Sequence, residues 1–339
     1  MDEFELINRY FRPSLNALQS AENGVAIGIG DDCAVLNVPP GYQLVVSTDS
    51  LVVGTHFFSD SPADELAWRL VGASVSDLAA MGAIPAWLSL AVTLPDVDHE
   101  WLSLFSSGLH DACQEYGIQL IGGDTTRGSL SLTATVHGWV PAGMALMRSG
   151  AQAGDLVCVS GTLGDSRGGL YLLEKQKGLA AEPAVDMFSP DAQYLIDRFY
   201  RPVPRLALGE ALLDTATACI DISDGLIGDI EHLLTSSQVG MDISADCLPC
   251  SAALVRLVGN EQAAMWSLTG GEDFELCFTV APTDELKLQA IRQRTGVPIR
   301  VVGTITADAN ERIVRGIDAT TLSSLTGYRH FTSPENGPR

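Results

Sequence analysis

Five short clusters of aspartate stand beside glycine or hydroxyl residues in this chain of 339 residues. In chain order they are Asp31–Asp32 after a glycine pair, Ser47–Asp49, Ser76–Asp77, Gly122–Asp124 and Asp221–Gly225. Carboxylate and hydroxyl oxygens are the ligands that hard divalent cations prefer. Each cluster alone is also typical of a turn or a helix cap. The set of five predicts one metal site with oxygen ligands, assembled from distant parts of the chain.

One of these aspartates lies on the apolar side of a helix predicted over residues 63–81. Leu66, Leu70 and Ala73 form a stripe at spacings of four and three, and Asp77 continues it. Burying a charge costs free energy unless the charge is paired or binds a metal. Asp77 is therefore the least turn-like of the aspartates, and we predict a functional role for it.

The last cluster continues a strand predicted from Cys219 onward. The period of two along a strand puts Asp221 and Ser223 on one face, and Asp224 lies in the following turn. That spacing lets three oxygen ligands converge on a cation. A solvated edge strand would show the same alternation and remains an alternative.

Two glycine-rich segments resemble nucleotide-binding motifs only in part. Gly28 and Gly30 match the start of the pattern GxGxxG, but Cys33 replaces the third glycine and no helix is predicted to follow. This excludes a Rossmann-type site. The loop at residues 161–169 lacks the GK[ST] ending of a P-loop. Its backbone N–H groups could bind an anion, or the loop could be a simple turn.

The charge of the chain restricts its partners. The formal net charge is −22, and the only lysines are Lys175, Lys177 and Lys287. Such a chain should repel nucleic acid and anionic membranes. If it binds a phosphate compound, divalent cations must supply most of the neutralising charge.

Cysteine usage and hydropathy predict the compartment. The chain has seven cysteines, no N-terminal signal pattern and no apolar run approaching the roughly 20 residues of a membrane span. We therefore expect a reduced, cytoplasmic protein. The pair Cys247 and Cys250 is an isolated CxxC, which favours a structural role over zinc or redox chemistry.

Strands and helices alternate along both halves of the chain, which predicts an α/β fold with mixed sheets in two domains. We place the domains at residues 1–149 and 150–339, because residues 150–154 have the composition of a junction.

Seven motifs, in this order, resemble the thiamine-monophosphate kinase family of the aminoimidazole-ribonucleotide-synthetase-like ATP-binding superfamily. They are GIGDDCAVL, STDSLV with HF shortly after it, SDLAAMGA, IGGDTTRG, RSGA with GD shortly after it, IDISDGL and TGGEDFELCF, and the resemblance runs from about Phe4 to Phe331. It implies an N-terminal α/β domain that builds a β-barrel across the two-fold axis of a homodimer. It also implies a C-terminal α/β domain and an active site in the interdomain cleft.

The resemblance further implies roles for single residues. The implied magnesium ligands, some through backbone or hydroxyl oxygens, are Asp32, Ser47, Thr48, Asp49, Asp77, Asp124, Asp221 and Asp224. The implied ATP contacts are Gly123, Asp124, Arg148 and Ser223. The implied contacts to thiamine phosphate are His56, Glu272 and Leu325, the last at a position that is often aromatic in the family, with Tyr328 as the alternative.

The implied reaction moves the γ-phosphoryl group of ATP onto the phosphate of thiamine monophosphate, with several Mg²⁺ ions as cofactors. The acceptor is already an ionised phosphate oxygen, so we assign no general base and no covalent nucleophile. One alternative is another enzyme of the superfamily, such as an aminoimidazole ribonucleotide synthetase or a selenophosphate synthetase. The latter typically carries a lysine near its N-terminus, and this chain has none before Lys175. A non-catalytic protein that binds cations or nucleotides is the other alternative.

Overall fold

The computed structural model describes residues 3–12, 24–179 and 186–317. Their strands are β1 Val25–Ile27, β2 Val35–Leu36, β3 Tyr42–Val52, β4 Ile84–Leu94, β5 Gln119–Arg127, β6 Ser131–Pro141, β7 Leu156–Ser160, β8 Ala216–Ile222, β9 Gly240–Ser244, β10 Glu275–Val280, β11 Ile299–Thr306 and β12 Arg312–Arg315. Their α-helices are α1 Glu3–Leu6, α2 Ala63–Ala80, α3 His99–Glu115, α4 Asp165–Gln176, α5 Pro190–Tyr200, α6 Leu206–Leu212, α7 Leu226–Ser237, α8 Ala252–Thr269 and α9 Glu285–Thr295. None of the helices in these ranges has the length and apolar character needed to cross a membrane.

The chain divides into two compact units, one formed by residues 1–145 with 206–213 and the other by residues 146–205 with 214–339. Helix α6 belongs to the first unit because it packs tightly on α2. A Cβ atom at Gly209 would lie 2.0 Å from the carbonyl oxygen of Ala79, so only glycine permits this approach. The two-domain division at residue 149 remains a prediction.

The first unit contains a four-stranded sheet in the order β3-β6-β4-β5. Strands β4 and β5 are parallel, and the other two pairs are antiparallel. Burial alternates strictly along β6, with Leu132, Val136 and Val140 fully buried, as expected for a sheet with one covered face. Helix α2 packs on that covered face.

Local sequence explains the two long helices of this unit. Helix α2 is the helix predicted from the apolar stripe, and it ends just before Gly82, which adopts a φ of +67°. Helix α3 begins after Asp98, whose carboxylate accepts hydrogen bonds from the N–H groups of Glu100 and Trp101. The predicted N-cap at Asp98 is thereby confirmed.

The second unit contains a six-stranded sheet in the order β12-β9-β11-β7-β10-β8. All pairs of adjacent strands in this sheet are antiparallel except β12 and β9, which are parallel. Strands β7 and β10 are almost entirely buried, as expected for central strands with both faces covered. The predicted α/β fold with mixed sheets is confirmed in both units.

Candidate active site

Strand β3 and helix α2 bring three of the predicted metal ligands together. Ser47 and Asp49 lie on the same face of β3 by the period of two, and the register pairs Asp49 with the buried Ala134 on the α2 side of the sheet. The hydroxyl of Ser47 donates a short hydrogen bond to Oδ2 of Asp77 on α2. Two carboxylates and a hydroxyl therefore share this side of the first unit.

Asp49 combines a raised pKa with a buried oxygen that has no hydrogen-bond partner. Burial, together with the negative charge of Asp77, raises the pKa of Asp49 to about 6, and the nearby Ser74 hydroxyl offsets part of the rise. Oδ2 of Asp49 is buried and has no hydrogen-bond partner. A divalent cation would satisfy that oxygen and relieve the repulsion, so these residues fit Mg²⁺ on chemical grounds.

The burial of Asp77 differs from the expectation. Helix α2 is buried on nearly every side, and Asp77 is the one position from Leu70 to Ala80 that keeps partial exposure. The apolar stripe therefore locates Asp77 on an inner face, but the carboxylate retains access to solvent. Such access is what a ligand shared with a substrate and water requires.

Thr48 and Asp124 lie on the opposite face of the same sheet. The hydroxyl of Thr48 is 2.9 Å from that of Thr135 on β6, on the face turned away from α2. The register pairs Asp124 with Ala91, an exposed position on that same outer face. The sequence reasoning grouped all the ligands together, although the period of two already separates Thr48 from its neighbours.

Gly123 occupies a position that only glycine can fill. Its φ is +157°, and a Cβ atom would lie 1.8 Å from the carbonyl oxygen of Leu90 on β4. The predicted ATP contact at Gly123 is thus also a point of close backbone approach.

Asp32 and His56 are anchored by short-range contacts in the first unit. Oδ1 of Asp31 accepts the N–H of Asp32, and both residues are exposed. Nδ1 of His56 accepts the N–H of Val52 at 3.0 Å, so neutral His56 carries its proton on Nε2.

The predicted ligands are not a ready-made metal cluster. In the described ranges, no three His, Cys, Asp or Glu side chains are grouped so that they could hold a metal ion. A cation at these positions would therefore need phosphate oxygens or water to complete its coordination.

In the second unit, the predicted ligands surround the turn between β8 and α7. Asp221 is buried within β8, so a solvated edge strand is the wrong interpretation even though β8 is the last strand of the sheet. Strand β8 ends at Ile222, so Ser223 lies in the turn with Asp224 and not on the strand as predicted.

Sequence reasoning missed the carboxylate that holds this turn. Oδ2 of Asp229, on α7, accepts the N–H groups of Ser223 and Asp224, each at 2.9 Å. Burial raises the pKa of Asp229 to about 7, while the backbone N–H groups of Asp224, Ser223 and Gly225 lower it. An aspartate just inside a helix that follows a turn is the sequence signal for such a contact.

The segment that carries Glu272 packs against the same turn. The N–H of Glu272 donates to the carbonyl of Ser223 at 2.7 Å, and the N–H of Phe274 donates to that of Ile222 at 2.9 Å. Glu272 and Phe274 adopt φ values of +69° and +51°, which are uncommon for residues other than glycine. This strained segment is thereby fixed to the turn.

The glycine-rich loop at residues 161–169 is filled by a carboxylate of the protein. Asp273 is buried and accepts the N–H groups of Gly164 at 2.6 Å and Ser166 at 3.0 Å. Burial raises its pKa to about 7, against the lowering effect of these N–H groups and of Arg198. Only residues 161–164 form a turn, and residues 165–169 begin helix α4 instead of the predicted loop. The N–H groups of Gly164 and Ser166 at this helix start are already bound by Asp273.

Arg148 and Glu275 differ in whether their charge is paired within the protein. Arg148 is exposed, and its guanidinium has no ion pair or hydrogen bond among the described residues. Glu275 is fully buried and accepts bonds from Arg205 Nε at 2.7 Å, Arg198 at 3.1 Å and Ser160 at 2.6 Å. Arg148 remains available to a ligand phosphate, whereas Glu275 is paired with Arg198 and Arg205 in the interior.

Leu325 and its alternative Tyr328 lie outside the described residues. A cavity of about 720 Å³ in the second unit includes Cys250 and Arg300 in its wall, but none of the predicted site residues line it.

Comparison with known proteins identifies the family of this chain. Family models for AIR synthase related protein match residues 30–140 with the N-terminal domain and residues 152–316 with the C-terminal domain. Thiamine-monophosphate kinase of Escherichia coli (strain K12) is 48% identical over 333 residues, covering 98% of this chain and 99% of the relative. The chain belongs to the thiamine-monophosphate kinase family. The family resemblance found in the sequence is confirmed.

Solved structures extend the likeness to the fold. The crystal structure of thiamine-monophosphate kinase from Stenotrophomonas maltophilia K279a has a TM-score of 0.82 and 40% identity, covering 94% of this chain and 98% of that chain. A structure described as AaThiL complexed with AMPPCP and TMP has a TM-score of 0.74 and 29% identity, covering 87% and 89%. The hydrogenase maturation protein HypE of E. coli, at 20% identity and a TM-score of 0.70, shares the fold.

Proposed function

We propose that the protein transfers the γ-phosphoryl group of ATP to the phosphate of thiamine monophosphate, giving thiamine diphosphate and ADP. The observation that carries this proposal is the likeness over 98% of the chain to relatives named thiamine-monophosphate kinase. A related chain solved with AMPPCP and TMP supports it, since those ligands pair a nucleoside triphosphate analogue with the acceptor. The reaction makes the enzyme an ATP-dependent phosphotransferase with a phosphate acceptor.

Aspartates on both units would hold Mg²⁺ in this enzyme. In the first unit they are Asp32, Asp49, Asp77 and Asp124, with Ser47 and the main chain of Thr48, and in the second unit they are Asp221 and Asp224. Bound Mg²⁺ supplies charge neutralisation on the phosphates, which phosphoryl transfer requires more than covalent chemistry. The unpartnered oxygen of Asp49 is the strongest local support for this assignment.

The remaining residues position the two substrates. Arg148 is a guanidinium without a carboxylate partner among the described residues, in a chain of net charge −22, which suits an ATP phosphate. Ser223 and Gly123 are assigned to ATP, the glycine because it lets backbone approach closely. His56 and Glu272 are assigned to thiamine monophosphate, and no residue is needed to remove a proton from the ionised acceptor.

We also propose that the enzyme is a homodimer through the outer face of the β3–β6 sheet. Leu44 and Val46 are about half exposed there, at 47% and 52%, and the register places them beside Trp139 and His137. An apolar face on an edge strand is a typical site of pairing between chains.

All seven cysteines are free thiols, which agrees with the cytoplasmic location predicted from the sequence.

A coupled assay of ADP release tests the activity. MgATP is supplied with thiamine monophosphate, and thiamine and aminoimidazole-pathway substrates serve as acceptor controls. We expect turnover with thiamine monophosphate alone, with thiamine diphosphate identified as the product. Activity with another acceptor would place the enzyme elsewhere in the superfamily, and no ADP release with any acceptor would favour a non-catalytic binding protein.

A further inference from the structure

The turn between β8 and α7 is held from inside the protein by one side chain. Asp229 is 4% exposed, and a single oxygen of its carboxylate accepts the N–H groups of Ser223 and Asp224. The carboxylate thus fixes the main chain of the two turn residues that are assigned to ATP and to Mg²⁺.

The opposite edge of the turn is fixed as well. Its carbonyl groups at Ile222 and Ser223 accept the N–H groups of Phe274 and Glu272. Gly225 has a φ of +107°, and a Cβ atom there would lie 2.8 Å from the main chain of Thr269. The N–H groups of the turn are therefore bound on one side and its carbonyl groups on the other. The main chain has little space to adopt another conformation.

Asp229 also limits what the main chain just before α7 can bind. Unpaired N–H groups at a helix N-terminus are a ready site for phosphate. Here a carboxylate of the protein already takes the N–H groups that precede the helix. The N–H groups of Ser223 and Asp224 are therefore not available to a phosphate group.

We propose that Asp229 is a positioning residue for phosphoryl transfer, which holds the Ser223–Asp224 main chain in the conformation that binds MgATP. The inference rests on the proposed function, because it takes Ser223 and Asp224 as contacts of the nucleotide and its metal. Asp229 acts through this turn, not by contact with a substrate. Replacing Asp229 should therefore reduce the affinity for Mg²⁺ and MgATP more than it reduces the free energy of unfolding.

The variants Asp229→Ala and Asp229→Asn test this role, with Asp155→Ala as the matched control. Asp155 is also 4% exposed and accepts a backbone N–H, that of Gln152, together with the Thr217 hydroxyl. It precedes β7 at the end of the sheet remote from the β8–α7 turn, about 20 Å away along a seven-residue strand. The control therefore removes a similar buried carboxylate far from the β8–α7 turn.

Two measurements are made on each full-length variant: the Mg²⁺ concentration for half-maximal rate, and the rise in Tm on adding MgATP. For Asp229→Ala we expect an increase of about tenfold or more in that Mg²⁺ concentration and loss of most of the MgATP-dependent rise. Asp229→Asn keeps one acceptor oxygen and should show a smaller change in the same direction. Asp155→Ala should lower Tm without MgATP while keeping the wild-type Mg²⁺ dependence and MgATP response.

Unchanged Mg²⁺ dependence and MgATP response in either Asp229 variant would overturn the proposal, as would equal changes in Asp155→Ala. If Asp229→Ala does not fold, Asp229→Asn decides by the same two readouts. Failure of the proposed function is a separate result, because wild-type enzyme would then show no turnover with thiamine monophosphate. The Tm response to MgATP still distinguishes the variants in that case.

Discussion

The main-chain N–H of Glu272 donates a hydrogen bond of 2.7 Å to the main-chain carbonyl of Ser223. Glu272 is assigned to thiamine monophosphate and Ser223 to ATP, so the bond joins the two substrate contacts through backbone atoms. Glu272 has a φ of +69°, a conformation that costs about 1 kcal/mol or more for a residue other than glycine. Such strain persists where surrounding contacts fix it, and here the fixing contact is the turn that carries Ser223.

Replacing Asp49 should separate activity from stability. We expect Asp49→Ala to lower kcat by roughly a hundredfold or more, because the variant loses a carboxylate oxygen that would bind a cation. Its Tm without Mg²⁺ should equal or exceed that of the wild type, since burial and Asp77 disfavour the Asp49 charge in the fold. Steady-state kinetics and thermal unfolding measure the two effects. Ser50→Ala, on the other face of β3, is the control and should retain activity; a near wild-type rate for Asp49→Ala would refute the assignment.

Gly123 and Gly122 offer a matched pair on one strand. Gly123→Ala should destabilise the protein by about 1–3 kcal/mol and raise KM for ATP, because its new methyl group would collide with the main chain of Leu90. Gly122→Ala meets no atom within 4 Å and should behave like the wild type. Urea unfolding and ATP titration of both variants check this difference. Equal behaviour of the two would show that the close approach at Gly123 has no consequence.

Much of this arrangement was accessible from the sequence because it depends on local rules. Residue type and spacing were enough to predict helix α2, the N-cap at Asp98 and the position of Asp224 in a turn. The contact of Asp273 with Gly164 joins residues 109 positions apart, and no local pattern encodes it. The cap of the glycine-rich loop therefore became visible only in the folded chain.

Other differences arose because residue type was considered without the direction in which each side chain points or the elements that cover it. Thr48 stands between Ser47 and Asp49 in the same motif, yet a strand turns its side chain to the opposite face. The burial of Asp221 on the last strand of its sheet has another cause, because covering elements and not strand order determine exposure. The first difference was predictable from the period of two, and the second required tertiary packing.

Breaking the buried Glu275 cluster should be strongly destabilising. Glu275→Gln leaves Arg205 and Arg198 without their shared carboxylate, and we expect a loss of about 3–5 kcal/mol in the free energy of unfolding. Glu231→Gln removes a surface pair with Arg312 and should cost about 1 kcal/mol or less. Urea unfolding at one pH compares the two. A loss at Glu275 no larger than that at Glu231 would contradict the role of burial.

The pH dependence of stability should carry a contribution from Asp273. Its folded pKa is about 7, above the ordinary value of 3.8, so the folded protein binds this proton more tightly than the unfolded chain does. The contribution is therefore complete at low pH and is lost as pH rises from about 4 to 7, by a few kcal/mol at most. The free energy of unfolding of Asp273→Asn should lack this fall. Wild-type and variant curves that run parallel from pH 4 to 7.5 would show that Asp273 does not titrate as described.

The outer face of the first sheet should determine the oligomeric state. Val46→Asp places a carboxylate in the exposed apolar surface beside His137, and we expect it to convert a homodimer into a monomer by desolvation cost and charge repulsion. Leu286→Asp changes a similarly apolar side chain that is 84% exposed on α9 and should leave the dimer intact. Sedimentation analysis at matched concentration gives the mass of each protein. A monomeric wild type, or a Val46→Asp variant that sediments as the wild type does, would exclude this face as the interface.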